Sequence, residues 1–222
     1  TSSIKLNLSK MMNNKNRSIL TLTKGIEFLF KKNKIIHLKG KGLISDKNIV
    51  TVTNDSGKKI NYKAKNIVIG TGSVSTSLSG IKIDEKTIVS STGALSFDKI
   101  PKELIVIGGG YIGLELSSVW SRLGSNVTVI EFLDHIIPGM DRDISTEFLK
   151  ILNKQGIHFK LDSKVTGVSV IKNKAVVDFT NNKSAIRQRI ECDKVLVAVG
   201  RKSNISADIS KLGIKLDKQE KI

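Results

Sequence analysis

Three glycines near the middle of the chain have the residue type and spacing to bind a phosphate-bearing ligand. Gly108, Gly110 and Gly113 follow an apolar, β-branched run at residues 105–107, and an apolar helical pattern follows at residues 116–123. Between a strand and a helix, the first glycine permits a sharp turn, and the second lets the backbone approach a pyrophosphate. The third lets the helix pack closely on the strand. Because free N–H groups at the start of a helix bind phosphates, the pattern predicts a dinucleotide-binding turn.

Glu131 adds a carboxylate at the distance along the chain that this kind of site requires. Residues 124–126 end the helix, residues 127–130 are typical of a second parallel strand, and Glu131 follows 18 residues after Gly113. In dinucleotide-binding folds, an acid about 20 residues after the glycine turn binds the adenosine ribose. Residues 132–135 contain no arginine to hold a 2′-phosphate, so the sequence favours NAD over NADP. The alternative is a structural βαβ unit without a ligand.

The elements that must position these residues are visible on both sides of the glycine turn. Residues 90–95 are typical of a short capped helix, and residues 100–102 lead into the central strand. A second long helix is predicted over residues 141–155, with Asp141 at its start, and a third parallel strand over residues 157–161.

The last third of the chain predicts strands of two kinds. Residues 162–180 and 186–191 alternate as antiparallel strands, whereas residues 193–201 form a returning buried strand with Gly200 at its carboxyl end. Ligands bind at the carboxyl ends of the strands in open α/β sheets, so Gly200 is expected near the dinucleotide. The predicted fold class is α/β, a Rossmann-like NAD-binding domain in which a parallel sheet is followed by an antiparallel β-meander.

The first third of the chain has a different pattern. An amphipathic helix is predicted over residues 9–33, and short strands are predicted at residues 35–38, 43–45, 49–53 and 60–62. Residues 66–70 are predicted as a buried strand, which leads into the small residues Thr71, Gly72 and Ser73. Small residues there would allow a planar or phosphorylated ligand to lie against the backbone, although an ordinary loop is the alternative.

Composition limits the classes of function. The chain has 222 residues, enough for one large or two modest domains, and no apolar run approaches the roughly 20 residues that span a membrane. Its net charge of +17 raises the question of nucleic-acid binding, but the lysines are dispersed and aromatic residues are few, which argues against it. The single cysteine excludes an intrachain disulfide and fits a reducing compartment. His135 and His158 have no acid or cysteine at ligand spacing, so no metal site is predicted.

With these motifs in view, the chain resembles the dihydrolipoyl dehydrogenases, which are flavoprotein disulfide reductases. The stretch at residues 90–95 and the stretch around Trp120 favour this family over glutathione or mercuric reductases. The matching segments are residues 66–73, 87–95, 108–115, 119–124, 127–131, 154–156, 164–167 and 199–201.

The resemblance implies two sets of cofactor-binding residues. Glu115 lies where family members place a glutamate near nicotinamide and flavin, although it could instead complement the helix dipole. Tyr111 stands where some relatives carry valine, and its ring could cover the flavin until nicotinamide displaces it. The implied NAD-binding residues are Gly108, Gly109, Gly110, Tyr111, Ile112, Gly113, Leu114, Glu115, Glu131, Val165 and Gly200. The implied FAD-binding residues are Gly42, Thr71, Gly72 and Ser73.

The resemblance also implies how the chain is organised. Residues 1–72 correspond to part of an FAD-binding domain, residues 73–204 to the NAD-binding domain, and residues 205–222 to the return into the FAD-binding domain. The redox cysteine pair and the His–Glu base pair of the family are absent from the sequence, and Cys192 matches a non-catalytic position. The chain begins without methionine, so we expect a piece of a longer protein that is inactive alone, and we assign no catalytic residue.

For the full-length parent, the resemblance implies oxidation of protein-bound dihydrolipoamide through a redox disulfide and FAD, with reduction of NAD. It implies a lipoyl-bearing acyltransferase of a 2-oxoacid dehydrogenase complex as partner, a homodimer, and a location in the bacterial cytoplasm or the mitochondrial matrix. No nucleic-acid or membrane partner is expected. Two alternatives stay open. One is another NADH-dependent flavoprotein disulfide reductase or an NADH oxidase, and the other is a basic, non-enzymatic module that binds a dinucleotide or nucleic acid.

Overall fold

The structure is a computed structural model that describes residues 5–222, apart from the side chains of residues 207 and 208. The chain divides into two compact units. One contains Ser75–Arg201, and the other contains Met11–Val74 together with Lys202–Ile222. No helix in the described part of the chain is both long and apolar enough to span a membrane.

The unit that contains Met11–Val74 is built from one long helix and small antiparallel sheets. Helix α1 is amphipathic, as predicted, but it has no buried residue along its whole length. The strands β1, β2 and β3 form an antiparallel meander in that order. The elements are α1 (Leu8–Lys32), β1 (Lys41–Asp46), β2 (Ile49–Thr53) and β3 (Lys59–Lys63).

Two of the strand predictions for this region are wrong. Residues 35–38 are irregular and exposed, and residues 66–70 form no strand. Val68, which was expected to be buried, is 93% exposed. An apolar β-branched run becomes a buried strand only when neighbouring strands satisfy its backbone on both sides. No strand among residues 5–222 pairs with residues 66–70, so the segment stays irregular.

A five-stranded parallel sheet organises the unit that contains Ser75–Arg201. Its strand order is β5-β12-β6-β7-β8, and every neighbouring pair is parallel. The sheet confirms the predicted α/β class. Its strands are β5 (Ile88–Val89), β6 (Glu103–Ile107), β7 (Asn126–Ile130), β8 (His158–Lys160) and β12 (Lys194–Val197).

The remaining strands form an antiparallel meander and a two-stranded pair. The meander has the order β11-β10-β9, which is the predicted antiparallel region, and β4 pairs with β13. These strands are β4 (Ser73–Ser75), β9 (Ser163–Ile171), β10 (Lys174–Asn181), β11 (Arg187–Cys192) and β13 (Arg201–Ser203). A 3₁₀ helix, Ala207–Leu212, follows.

Both faces of the parallel sheet are buried. On one face, Ile105 and Ile107 of β6 belong to a core that also contains Val177 and Phe179 of the meander. On the other face, Val106 lies against helix α3 (Tyr111–Arg122), close to where a Cβ on Gly113 would stand. Burial on both sides explains why β6 is apolar at every position after Glu103.

Short polar contacts fix the helices around this sheet. Ser90 caps helix α2 (Ser91–Ala94), as predicted, because its side chain accepts a hydrogen bond from the Thr92 N–H. Asp141 caps helix α4 (Arg142–Lys154) in the same way. The indole N–H of Trp120, on α3, donates to the Ala94 carbonyl over 3.1 Å, which joins α2 to α3.

Candidate functional site

A cavity of about 930 Å³ opens at the carboxyl ends of the parallel strands. Strands β6, β7 and β12 end at Ile107, Ile130 and Val197, and all three residues line the cavity. Its lining is mostly apolar, with a few polar groups, which is the usual character of a cofactor pocket. This is the edge of the sheet where ligands bind in open α/β folds.

The glycine turn has the geometry that its sequence predicts. Gly108 has φ of +106°, which disfavours other residues, and an added Cβ would overlap the Ala198 carbonyl. A Cβ on Gly113 would overlap the Gly108 carbonyl and lie 3.2 Å from Val106. Gly108 therefore makes the turn, and Gly113 lets α3 pack against β6.

Gly110 leaves open space at the start of α3. It is the N-cap of the helix, no side chain caps the helix there, and an added Cβ would meet no atom within 4 Å. The first N–H groups of a helix have no partner within the helix and carry its positive dipole end. Gly110 lines the cavity, so the N–H groups at the start of α3 lie beside it. They are suited to bind a pyrophosphate, which a bound dinucleotide would place there.

Glu131 is buried beside the glycine turn and is held by backbone donors. The residue is 7% exposed. Oε2 accepts a hydrogen bond from the Gly109 N–H over 2.5 Å, and Oε1 accepts one from the Leu133 N–H over 2.8 Å. An ionised carboxylate has about four acceptor positions, so these two bonds leave acceptor capacity for ribose hydroxyls. Glu131 also lines the cavity.

The cavity brings together most of the residues expected to bind NAD. Two of the others have structural positions, since Gly109 faces Glu131 and Leu114 is buried in the core. Glu115 is exposed on α3 and does not line the cavity. The expected residues that line it are Gly108, Gly110, Tyr111, Ile112, Glu131, Val165 and Gly200.

The residues expected to bind FAD lie outside this cavity. Gly42, Thr71, Gly72 and Ser73 are all exposed, and none of them lines it. The carbonyls of Thr71 and Gly72 accept hydrogen bonds from Asn204, at 3.2 and 2.9 Å, and an added Cβ on Gly72 would meet open space. The open space beside Gly72 leaves room for a ligand, and the role of these residues in binding FAD stays a prediction.

A loop that the sequence did not link to the site closes one side of the cavity. Residues 137–140 line it, and Ile137 has φ of +44°, a region that β-branched residues rarely occupy. The Ile137 N–H donates to the Gly109 carbonyl over 2.8 Å, so Gly109 is held by Glu131 on one side and by this loop on the other. The Pro138-Gly139 pair is typical of a turn, but no local feature of the sequence indicates what that turn contacts.

A charged cluster lies on the loop that follows Glu131. Both terminal nitrogens of Arg142 donate to Asp134, at 3.1 and 2.6 Å, and His135 Nδ1 lies 2.7 Å from Asp134 Oδ1. The bonds from Arg142, and then the one from His135, hold the pKa of Asp134 well below its usual range. Lys183 Nζ makes a similar pair with Asp162 Oδ2 at 2.8 Å.

The lone cysteine has the environment of a structural residue. Cys192 is buried at the end of β11, and its burial raises the pKa of the thiol to about 12. A neutral thiol is a poor nucleophile. Among the residues that the structure describes, no group of three or more His, Cys, Asp or Glu side chains could hold a metal ion.

Curated relatives match nearly the whole chain. This chain is 48% identical to a dihydrolipoamide dehydrogenase of Chaetomium thermophilum over 99% of its length. It is 47% identical to the mitochondrial dihydrolipoyl dehydrogenase of Bos taurus over its full length. The mitochondrial dihydrolipoyl dehydrogenase of Pisum sativum is 44% identical over the full chain. The chain spans 44% of the length of each of these relatives.

A solved structure has a fold similar to that of this chain. The HOCl-induced flavoprotein disulfide reductase RclA from Escherichia coli superposes with a TM-score of 0.82 at 25% identity, over 96% of this chain and 48% of the reductase. A family model described as pyridine nucleotide-disulphide oxidoreductase matches residues 3–222. The chain therefore belongs to the pyridine nucleotide-disulphide oxidoreductase family.

Proposed function

We propose that this chain is the NAD-binding part of a dihydrolipoyl dehydrogenase. The observation that carries the proposal is the cavity at the strand ends, where Gly110 and the start of α3 lie open and Glu131 lies beside them. In the parent enzyme, protein-bound dihydrolipoamide is oxidised through a redox disulfide and FAD, and NAD is reduced. The identity to named dihydrolipoyl dehydrogenases supports this substrate over those of other disulfide reductases.

The chain's own residues bind and orient the dinucleotide. The N–H groups at the start of α3 hold the pyrophosphate, Glu131 accepts hydrogen bonds from the adenosine ribose, and Val165 and Gly200 line the remaining walls. When bound, NAD accepts a hydride, and FAD connects it to the dithiol. Because hydrogen bonds to Glu131 and from the Ile137 N–H hold Gly109 from two sides, the glycine turn has little conformational freedom to lose on binding.

The proposal extends to partners and location. The lipoyl group reaches the parent on an acyltransferase subunit of a 2-oxoacid dehydrogenase complex, and the parent is a homodimer. Relatives named as mitochondrial support the mitochondrial matrix over the bacterial cytoplasm as the location. Gly42, Thr71, Gly72 and Ser73 contribute backbone to the FAD site of the parent.

An NADH titration of the purified 222-residue chain tests the proposal. We expect saturable binding, followed by enhanced NADH fluorescence, with tighter binding of NADH than of NADPH. A parallel titration with a DNA oligonucleotide at physiological salt tests the non-enzymatic alternative, because binding to phosphate backbones weakens steeply with salt. Strong oligonucleotide binding without NADH binding would contradict the proposed function.

A further inference from the structure

One arginine lies close along the chain to the loop that follows Glu131, although residues 132–135 contain none. Arg142 is the first residue of α4 and comes two residues after Met140, which lines the cavity. Its guanidinium makes a two-bond pair with Asp134, three residues after Glu131. In this fold, an arginine near the ribose acid is the group that accepts the 2′-phosphate of NADP.

The Glu131 loop that carries Asp134 is fixed to the rest of the unit. The Leu133 N–H donates to Glu131, the Leu133 carbonyl accepts from the Asp162 N–H at 2.9 Å, and the Phe132 carbonyl accepts from Asn182 Nδ2 at 2.9 Å. These bonds hold the backbone on both sides of Phe132, which lines the cavity. Asp134 is therefore presented to Arg142 from an ordered backbone.

We propose that Asp134 is a specificity-determining residue, which favours NAD by holding the Arg142 guanidinium away from the position of a 2′-phosphate. The proposal rests on the proposed function, since it concerns the same cavity. Asp134 accepts one hydrogen bond from each terminal nitrogen of Arg142, so the guanidinium is held in a fork with a carboxylate that balances its charge. Glu131 opposes a 2′-phosphate from within the cavity, and Asp134 balances the charge of Arg142, which follows the cavity-lining residue Met140 by two positions.

A single substitution can break the pair between Asp134 and Arg142. The side chains of Asp134 and Arg142 are 46% and 56% exposed, so their pairing contributes little to folding. Asp134→Asn removes the charge and keeps an oxygen that can face His135, while Arg142 becomes available to another anion. Lys164 and Arg201, two cations that line the cavity, are present in every variant, so their contributions cancel in the comparison.

The test measures dissociation constants of NADH and NADPH for the 222-residue chain and for Asp134→Asn. We expect NADPH to bind roughly three- to tenfold more tightly to the variant, and NADH binding to change less than about twofold. The double variant Asp134→Asn/Arg142→Ala should lose the NADPH gain. A gain that persists in the double variant would overturn the proposal, because the released arginine would then not be its cause.

Asp178→Asn is the matched control. It breaks a pair of the same kind, in which Arg189 Nε donates to Asp178 Oδ1 over 2.7 Å, on strands β10 and β11 of the meander and not on the loop that follows Glu131. We expect no change in either dissociation constant, and an equal NADPH gain in this control would overturn the proposal by showing a general charge effect. If the unmodified chain does not bind NADH, both the proposed function and this inference fail. If it binds NADH but Asp134→Asn leaves the ratio unchanged, only the inference fails.

Discussion

The two units of this chain differ in what their own residues bury. In the unit that contains Ser75–Arg201, the central strands β6, β7 and β12 are buried on both faces, and Trp120 is 1% exposed. In the unit that contains Met11–Val74, helix α1 buries no residue, and Phe28 on that helix is 64% exposed. Both units contain an amphipathic helix, α1 in one and α3 in the other, but only α3 has buried residues. The apolar pattern alone therefore does not decide which side chains are buried.

The difference matters for ligand sites. Residues expected to bind NAD lie on elements that the unit packs and hydrogen-bonds, and the structure brings seven of them to one cavity. Residues expected to bind FAD lie on exposed backbone that lines no part of that cavity. A site is preorganised only where the surrounding core fixes its backbone. Four predictions test this contrast.

The largest effect is expected from removing the largest fully buried side chain among the described residues. Trp120→Ala should lower the free energy of unfolding by about 3–5 kcal/mol, because it leaves a cavity beside Phe97 and removes the hydrogen-bond donor of the Ala94 carbonyl. Phe28→Ala in α1 should change it by less than about 0.5 kcal/mol. Urea unfolding followed by far-UV circular dichroism measures both. Equal losses would mean that the contrast in burial is false.

Glu131→Ala should affect both binding and stability. The variant leaves the N–H groups of Gly109 and Leu133 without their partner, which costs about 1–3 kcal/mol of unfolding free energy. It also removes the expected ribose acceptor, so the NADH dissociation constant should rise roughly tenfold and the preference over NADPH should shrink. Glu147→Ala, on the exposed face of α4, is the control. Unchanged discrimination would show that the ribose lies elsewhere.

Gly110→Ala should separate binding from folding. The backbone there has φ of −77° and an added Cβ meets no atom, so the free energy of unfolding should stay within about 0.5 kcal/mol. The new methyl group would occupy the space of the pyrophosphate and weaken NADH binding by about tenfold. Gly167→Ala on β9 also adds a Cβ in open space, outside the cavity, and should leave binding unchanged. Equal binding by both variants would contradict the phosphate site.

The smallest effect concerns the exposed helix. Gly25 lies inside α1, where a Cβ would meet no atom, so Gly25→Ala should raise the free energy of unfolding by about 0.5–1 kcal/mol. In α3, Gly113→Ala should have the opposite sign, because its Cβ would overlap the Gly108 carbonyl. Thermal unfolding monitored by circular dichroism tests the signs. A stabilising Gly113→Ala would mean that the helix packs less closely on β6 than the structure shows.

Much of the fold could be predicted because its signals are local. Ser90 and Asp141 cap their helices as predicted, since a cap depends on a side chain and the backbone two or three residues on. The bounds of β2, Ile49–Thr53, are those predicted from alternation and flanking turns. The strand prediction for residues 66–70 was wrong, because an apolar run does not reveal whether a neighbouring strand is present to pair with it.

At the site, residue order alone is enough to predict the turn, since a positive φ requires Gly108 and a close helix–strand contact requires Gly113. It also placed Glu131 at the end of the adjacent strand. The contacts of these groups follow from the packing of the folded chain: Glu131 accepts from the Gly109 N–H, the Ile137 N–H donates to the Gly109 carbonyl, and Asp134 accepts from Arg142. Local residue order fixes backbone conformation, whereas contacts between distant segments depend on how the sheet and its loops pack in three dimensions.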